Sequence, residues 1–342
     1  MKKNIIYLLL IIFSTFLNAN EKVVLQLKWF HQFQFAGYYA AKEKGFYDEV
    51  GLDVEIKQRD LKYNNIDEVI NGNAQYGVAD SILILYRLKQ QPVVIVSPIF
   101  QHSPSVFISL KKKNISSIYE LNNKDILFYP NNTDGFSLLA MIKKFNLDVN
   151  LVRERYKDDY MRLIKNEVDV IPAYIANEPF LFKEKGYDVN IINPTNYGFD
   201  MYGDMLFTNE DEAKNNPDRV EKFKEATLKG WKYALENKEE IIQLINEKYT
   251  QEKTIEHLRY EANAIDSLIN KNLTPLGYLD QGRIRYISEM YKYYGLTEST
   301  IDLKDFLFDE ISKKDKKLSL SDEEIKYLKD NPILKVHNFD SL

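Results

Sequence analysis

Residues 23–53 have the sequence VVLQLKWFHQFQFAGYYAAKEKGFYDEVGLD and contain a strand, a loop and a helix in direct succession. Apolar and other side chains alternate over Val23–Trp29, which predicts a strand with two distinct faces. A helical pattern over Ala36–Lys44 ends at Gly45, a residue suited to the left-handed position after a helix. Because a second alternating strand begins at Leu52, the stretch predicts a β-α-β unit.

The loop between this strand and helix carries five ring-bearing side chains and two glutamines in seven residues. Ligands bind at the carboxyl ends of strands in open α/β sheets, and this loop follows such an end. Any single ring here is explained by core packing alone. The crowding of rings and amides nevertheless favours a binding loop, in which Trp29, Phe30 and Phe35 offer apolar area and Gln32 offers hydrogen bonds.

Composition excludes several classes of function. The chain has 342 residues, a net charge of −5, four histidines and no cysteine. The negative charge disfavours nucleic acid as a partner. Thiolate chemistry and cysteine-bound metals are excluded, and the histidines lack metal-ligand spacing, so no metal and no cofactor are expected.

The amino terminus resembles a targeting segment. Lys2 and Lys3 precede the apolar run Ile5–Phe13, and Ala19 ends an acceptable cleavage site. We expect 1–19 to be a signal peptide, with a retained anchor as the alternative. The mature protein is then periplasmic or on the cell surface, and it meets a membrane only through this segment or a partner.

Two breaks in the alternation of strands and helices predict two lobes. Gln101–Pro104 and Asn193–Asp200 interrupt the pattern and predict crossings between the lobes. We predict an α/β fold with mainly parallel sheets flanked by helices and hinged by the two crossings. The predicted divisions are lobe 1 over 20–102 and 204–310, lobe 2 over 103–203, and a linker over 311–342.

Polar residues lie at two points where a predicted strand gives way to a helix. Asp80 and Ser81 follow one strand, and Thr133 and Asp134 precede a later helix. Each is suited to capping its helix, and each also lies where a ligand contact is expected.

The run Leu27–Ile56, LKWFHQFQFAGYYAAKEKGFYDEVGLDVEI, resembles the opening of the NMT1/THI5-like family. The resemblance implies a type II periplasmic-binding-protein fold. The family includes binding proteins of ABC importers for thiamine-precursor pyrimidines, sensor ectodomains and a eukaryotic pyrimidine synthase. The resemblance also implies that Tyr174 and Glu178, in an "AY…NE" segment, contact the ligand. It further implies that Asp204, in a "GD.LFT" segment, lies at the cleft.

The residues of the Tyr174–Phe180 segment support a prediction that does not depend on the resemblance. It places a phenol, an amide and an acid close together at a strand end, with Asn177 directly before Glu178. A carboxylate there accepts hydrogen bonds from an amino heterocycle. Equally, an acid in the first turn of a helix is favoured by the helix dipole, so both readings stay open for Glu178.

Taken together, the sequence predicts a protein that binds a small heterocycle, with a thiamine-type pyrimidine as the class that the resemblance favours. An ABC permease or a downstream signalling domain is the expected partner. The synthase alternative is disfavoured, because its cofactor lysine and donor histidine align with Ala79 and Leu83 and its cysteine motif is missing. A protein-interaction sensory domain is the third alternative.

The carboxyl-terminal run Leu318–Leu342 resembles the entry of a family-3 solute-binding domain of bacterial sensor proteins. The alternative for this run is an ordinary helix and tail.

Overall fold

Two groups of strands form the framework of the computed structural model, which describes residues 20–128, 136–153 and 159–315. The predicted signal peptide, Thr133, Asp134 and the run beyond 315 lie outside these residues. In chain order the strands are β1 (Glu21–Gln26), β2 (Leu52–Lys57), β3 (Tyr76–Ala79), β4 (Val93–Pro98), β5 (Ser105–Leu110), β6 (Asp125–Phe128), β7 (Asn150–Arg153), β8 (Ile171–Tyr174), β9 (Val189–Ile192) and β10 (Met205–Asn209).

Helices connect and cover these strands. In chain order they are α1 (Ala36–Glu43), α2 (Phe46–Glu49), α3 (Asn65–Ile70), α4 (Ile82–Leu88), α5 (Phe136–Lys144), α6 (Asp159–Ile164), α7 (Glu178–Glu184), α8 (Glu210–Asn215), α9 (Pro217–Glu236), α10 (Lys238–Lys248), α11 (Ile255–Ile269), α12 (Gln281–Tyr293) and α13 (Phe308–Asp315). Among the described residues, no helix is both long and apolar enough to cross a bilayer.

The first sheet has the strand order β2-β1-β3-β10-β4. Strand β1 runs parallel to β2 and β3, whereas β10 runs antiparallel to β3 and β4. Side chains of β2 alternate between buried and exposed, as the sequence predicts, because one face packs on the core.

The second group pairs β5 antiparallel with β8 and β9, and β6 parallel with β7. An isolated bridge from Ile126 to Val170 joins the two parts. The sheets are therefore mixed, which corrects the expectation of mainly parallel sheets. The physical reason is that β5 and β10 enter directly from a crossing rather than from a helix, so each opposes its neighbours.

The β-α-β unit at the amino terminus forms as predicted, but its first strand is shorter. Helix α1 ends before Gly45, whose φ of 75° is the left-handed conformation that glycine adopts without strain. Strand β1 ends at Gln26 rather than Trp29. The Leu27 N–H still donates to the Lys57 carbonyl, 2.8 Å away, but β2 ends there and the chain turns away.

Helix α9 packs directly against α1 through two glycines. A β-carbon on Gly230 would lie 2.2 Å from the Gly37 carbonyl oxygen, and one on Gly37 would lie 2.1 Å from Trp231. Trp231 is fully buried in the core. This close approach fixes α1, and with it the loop that carries the candidate site.

Candidate functional site

Lys28 occupies the centre of the candidate site. It lies two residues beyond the end of β1 and was not among the predicted residues. Its side chain is only 2% exposed. The Gln26 side-chain amide donates to the Leu27 and Gln58 carbonyls at 3.0 and 3.2 Å, which shapes the turn at the strand end. The turn directs the Lys28 ammonium group toward three acceptors on other segments.

Asp80 is the first of these acceptors. Its Oδ1 accepts a hydrogen bond of 2.8 Å from the Ile82 N–H and so caps α4, while its Oδ2 lies 3.4 Å from the Lys28 ammonium nitrogen. Both roles expected of Asp80, helix cap and site residue, are compatible in this geometry. Ser81 is buried, and its hydroxyl donates to the Tyr202 carbonyl at 2.7 Å.

Asp204 is the second acceptor, at the return crossing before β10. Its Oδ1 lies 3.4 Å from the Lys28 nitrogen, and its Oδ2 accepts from the Gln34 side chain at 2.7 Å. The Asp204 carbonyl accepts from the Ile99 and Phe100 N–H groups, at 2.8 and 3.0 Å. The chain just before the first crossing and the chain just after the second therefore lie side by side.

Tyr174 is the third acceptor, and it comes from the second sheet. Lys28 donates to its hydroxyl oxygen at 2.6 Å, and the ammonium also lies 5.2 Å from the ring centroid. Residues from the ends of β1, β3 and β8 and from the return crossing thus meet at one point. The structure thus brings together Asp80, Tyr174 and Asp204, three of the residues expected to contact a ligand, around Lys28.

Glu178 faces its own loop rather than this point. One carboxylate oxygen accepts from the Tyr174 N–H and the other from the Asn177 side-chain amide, both at 2.7 Å. Burial raises the pKa of Glu178, and the Tyr174 N–H opposes that shift. The local hydrogen-bonding alternative accounts for both of these carboxylate contacts.

The rings of the aromatic loop form two groups, one half-buried and one fully buried. Trp29 and Phe30 are half-buried and lie edge to face, with centroids 5.2 Å apart. Phe35 is fully buried in the core of the first sheet with Phe33. This burial argues against the ligand contact expected of Phe35, because its ring area is already used in packing.

The two glutamines of the loop form a buried relay to Asp204. The Gln32 side-chain nitrogen donates to Gln34, which in turn donates to Asp204. Within the described part of the chain, the Gln32 side-chain oxygen is buried and has no hydrogen-bond partner. Gln34, which lies in the short 3-10 turn Phe33–Phe35, was missed in the sequence, although the pairing of two glutamines within the aromatic loop was the available signal.

A second buried polar group lies beside the site, where α11 meets the loop after β8. Lys253 donates to the Asn177 side-chain oxygen at 2.5 Å and pairs with Glu261, which accepts from the Phe33 N–H at 2.8 Å. His257 lies against the Phe180 ring, with centroids 4.7 Å apart. Burial, together with the Lys253 ammonium, lowers the pKa of His257 to about 3.

The architecture defines the class of protein. Two α/β sheets joined by two crossings, with polar and aromatic side chains gathered at the strand ends beside them, are the fold of periplasmic binding proteins. The family model described as NMT1/THI5 like matches residues 32–241. The chain belongs to the NMT1/THI5-like family.

Two named relatives of the chain are binding proteins. The riboflavin-binding protein RibY of Chloroflexus aurantiacus is 24% identical over 302 residues, which cover 83% of this chain and 84% of that protein. The formylaminopyrimidine-binding protein of Halalkalibacterium halodurans is 24% identical over 233 residues, covering 66% of this chain and 70% of that protein.

A solved structure shows the same fold at low sequence identity. The periplasmic aliphatic sulphonate binding protein SsuA from Escherichia coli matches with a TM-score of 0.62 at 12% identity, covering 83% of this chain and 91% of that one. These findings confirm the predicted two-lobe periplasmic-binding-protein fold and a small-ligand binding protein rather than an enzyme. In the synthase alternative, the aligned positions are the fully buried, apolar Ala79 and Leu83.

Proposed function

We propose that the chain is an exported solute-binding protein that captures a small, flat heterocycle between two lobes. The lobes are those of the sequence prediction, 20–102 with 204–310 and 103–203, and the segment 1–19 directs export. A thiamine-precursor pyrimidine is the favoured ligand class. The names of the two relatives support this choice, since riboflavin and formylaminopyrimidine both contain a flat, nitrogen-containing ring.

The observation that carries the proposal is the contact between Lys28 and Tyr174. It brings the end of β1 in the first sheet within hydrogen-bond distance of the end of β8 in the second. A ligand bound beside this contact touches both sheets, and closure of the lobes on it is the mode of action that such a site supports.

Trp29 and Phe30 supply the apolar surface in this proposal. With His31 they are the rings of the loop that keep exposed area, and flat heterocycles stack on the faces of such rings. The buried Gln32 oxygen supplies a polar contact, because a buried acceptor without a partner in the described chain is satisfied by a ligand amino group.

Other predicted residues act one step away from the ligand. The Ser81 hydroxyl donates a hydrogen bond to the Tyr202 carbonyl. Glu178 accepts hydrogen bonds from the Tyr174 N–H and the Asn177 side chain, which stabilise the loop after β8. We propose that they set the position of Tyr174 and α4 rather than touch the ligand. An ABC permease or a downstream signalling domain then reads the closed state.

Tryptophan fluorescence tests the proposal directly, because Trp29 and Trp231 are the two tryptophans of the chain. Trp231→Phe leaves Trp29 as the reporter, and titration with formylaminopyrimidine or riboflavin is expected to quench it with saturation. Trp29→Phe leaves the buried Trp231 and is the matched control, which should stay unresponsive. Equal quenching of both variants, or of neither, contradicts capture at Trp29.

A further inference from the structure

The surroundings of the Lys28 ammonium have the composition of a cation receptor. Carboxylate oxygens of Asp80 and Asp204 lie 3.4 Å away, the Tyr174 oxygen lies at 2.6 Å, and the Tyr174 ring lies 5.2 Å from the nitrogen. Acid pairs and aromatic faces are the groups that proteins use to bind amines. The three residues that supply these groups come from three separate segments of the chain, and Lys28 comes from a fourth.

Burial makes this arrangement depend on the cation. The Asp204 and Asp80 side chains are only 2% and 11% exposed, and two buried carboxylates at one point repel each other unless a positive charge or a proton lies between them. One oxygen of each acid is fixed by a donor, the Ile82 N–H or the Gln34 amide. The other oxygen of each is the one near Lys28.

We propose that this is an amine subsite at the strand ends, filled by the protein's own Lys28. Lys28 thereby determines specificity: it occupies the place that a ligand ammonium group would take. Asp80 and Asp204 act as positioning residues, holding Lys28 and through it the Tyr174 hydroxyl. Resting on the proposed function, this means that the ligand carries no ammonium group at the end that faces Lys28, because Lys28 already fills the place that such a group would take.

Chemical rescue tests the subsite without any knowledge of the natural ligand. Lys28→Ala removes the atoms of one propylammonium ion, so n-propylammonium chloride is the probe, compared with sodium chloride at equal ionic strength and with n-propanol. We expect Lys28→Ala to melt below the wild type and to regain at least about 2 °C in the presence of saturating propylammonium. Wild type and Lys229→Ala, which removes a half-exposed lysine paired with Glu49, should show no such gain.

An equal response in all three proteins, an equal effect of n-propanol, or no response in Lys28→Ala overturns the proposal. Should Lys28→Ala fail to fold, Lys28→Met keeps the side-chain volume. Asp204→Asn should lower the melting temperature of the wild type but raise that of Lys28→Met, because it removes one of two facing charges. A decrease in both backgrounds contradicts the subsite.

The specificity consequence has its own measurement, with formylaminopyrimidine and its deformylated amine as paired probes. Wild type should favour the neutral formyl compound by about tenfold or more, and Lys28→Met should reduce that preference. An unchanged preference rejects the role of Lys28 in specificity. If the wild type binds neither probe, the proposed pyrimidine class is wrong, while the rescue experiment still decides the subsite.

Discussion

Glu178 shows how one residue stabilises the loop that carries Tyr174. Both of its carboxylate oxygens accept hydrogen bonds from that loop, and Asn177, one of the donors, is itself held by Lys253. A chain of donors and acceptors therefore runs from α11 to Tyr174. The orientation of each amide along it is fixed by its neighbours.

Glu178→Gln should lower the free energy of unfolding by about 1–3 kcal/mol, because the new amide places a donor against a donor. Asn177 cannot relieve this by rotating its own amide, since its oxygen already accepts from Lys253. Denaturant unfolding measures the loss. Glu184→Gln, an exposed change on the same helix, is the control and should have little effect. Equal stability of the two variants would show that the loop does not depend on Glu178.

His257 predicts a pH dependence of stability. The folded state keeps its pKa at about 3, whereas a histidine in the unfolded chain has a pKa of 6.5. The unfolded state therefore binds a proton first as the pH falls below 6.5, and this residue's contribution to stability is lost progressively toward pH 3.

The variant His257→Gln cannot take up this proton, so it should not show this loss of stability at low pH. Between pH 7 and 5, the wild type should lose stability relative to the variant by up to about 1.4 kcal/mol per pH unit. Urea unfolding of both proteins at each pH gives the difference. A difference that stays constant over this range would contradict the buried, neutral state of His257.

At the scale of elements, the crossing of α1 and α9 depends on the absence of side chains. A β-carbon on Gly230 meets the Gly37 carbonyl at 2.2 Å, and a backbone atom cannot move aside as a flexible side chain can. Gly230→Ala should therefore destabilise the fold by about 3 kcal/mol or more, despite the better helix propensity of alanine.

Gly282→Ala in the first turn of α12 is the matched control. There the nearest atom to the new β-carbon is the Asp280 carboxylate at 3.1 Å, the end of a side chain. Thermal unfolding should show a small change for Gly282→Ala and a large decrease for Gly230→Ala. Similar melting temperatures would mean that α1 and α9 separate at little cost.

Most elements could be predicted from periodicity, because one face of each packs on a core. Helix α11 is one example, because its buried residues repeat at helical spacing over Ile255–Ile269. The strand directions could not be predicted in this way. A strand pattern is the same in both directions, and only the route of the chain through the crossings reverses β5 and β10.

At the scale of the whole molecule, the site could be predicted only in part. Asp80, Tyr174 and Asp204 were found because each lies at a strand end or a crossing. Lys28 was missed, because a lysine within an alternating strand is normally solvated, and its burial depends on acids that are 52 and 176 residues away in the sequence. Lys253 was missed because its partner Asn177 lies 76 residues away in the sequence.

If the ligand contacts both sheets, two residues that are far apart in the sequence should contribute equally to its affinity. Trp29→Ala removes a ring near the end of β1, and Tyr174→Ala removes the phenol at the end of β8. Each should weaken ligand binding by about 2 kcal/mol, roughly thirtyfold, since a flat ligand loses an aromatic contact in either case. Phe35→Leu should leave affinity unchanged, because Phe35 packs in the core.

The most direct measurement is calorimetric titration of the chain from Asn20 onward with formylaminopyrimidine, riboflavin and an aliphatic sulfonate, on wild type, Trp29→Ala and Tyr174→Ala. We expect saturable binding of one heterocycle by the wild type and a loss of affinity in both variants. Binding of no heterocycle, or binding that survives either substitution, would contradict capture between the two sheets.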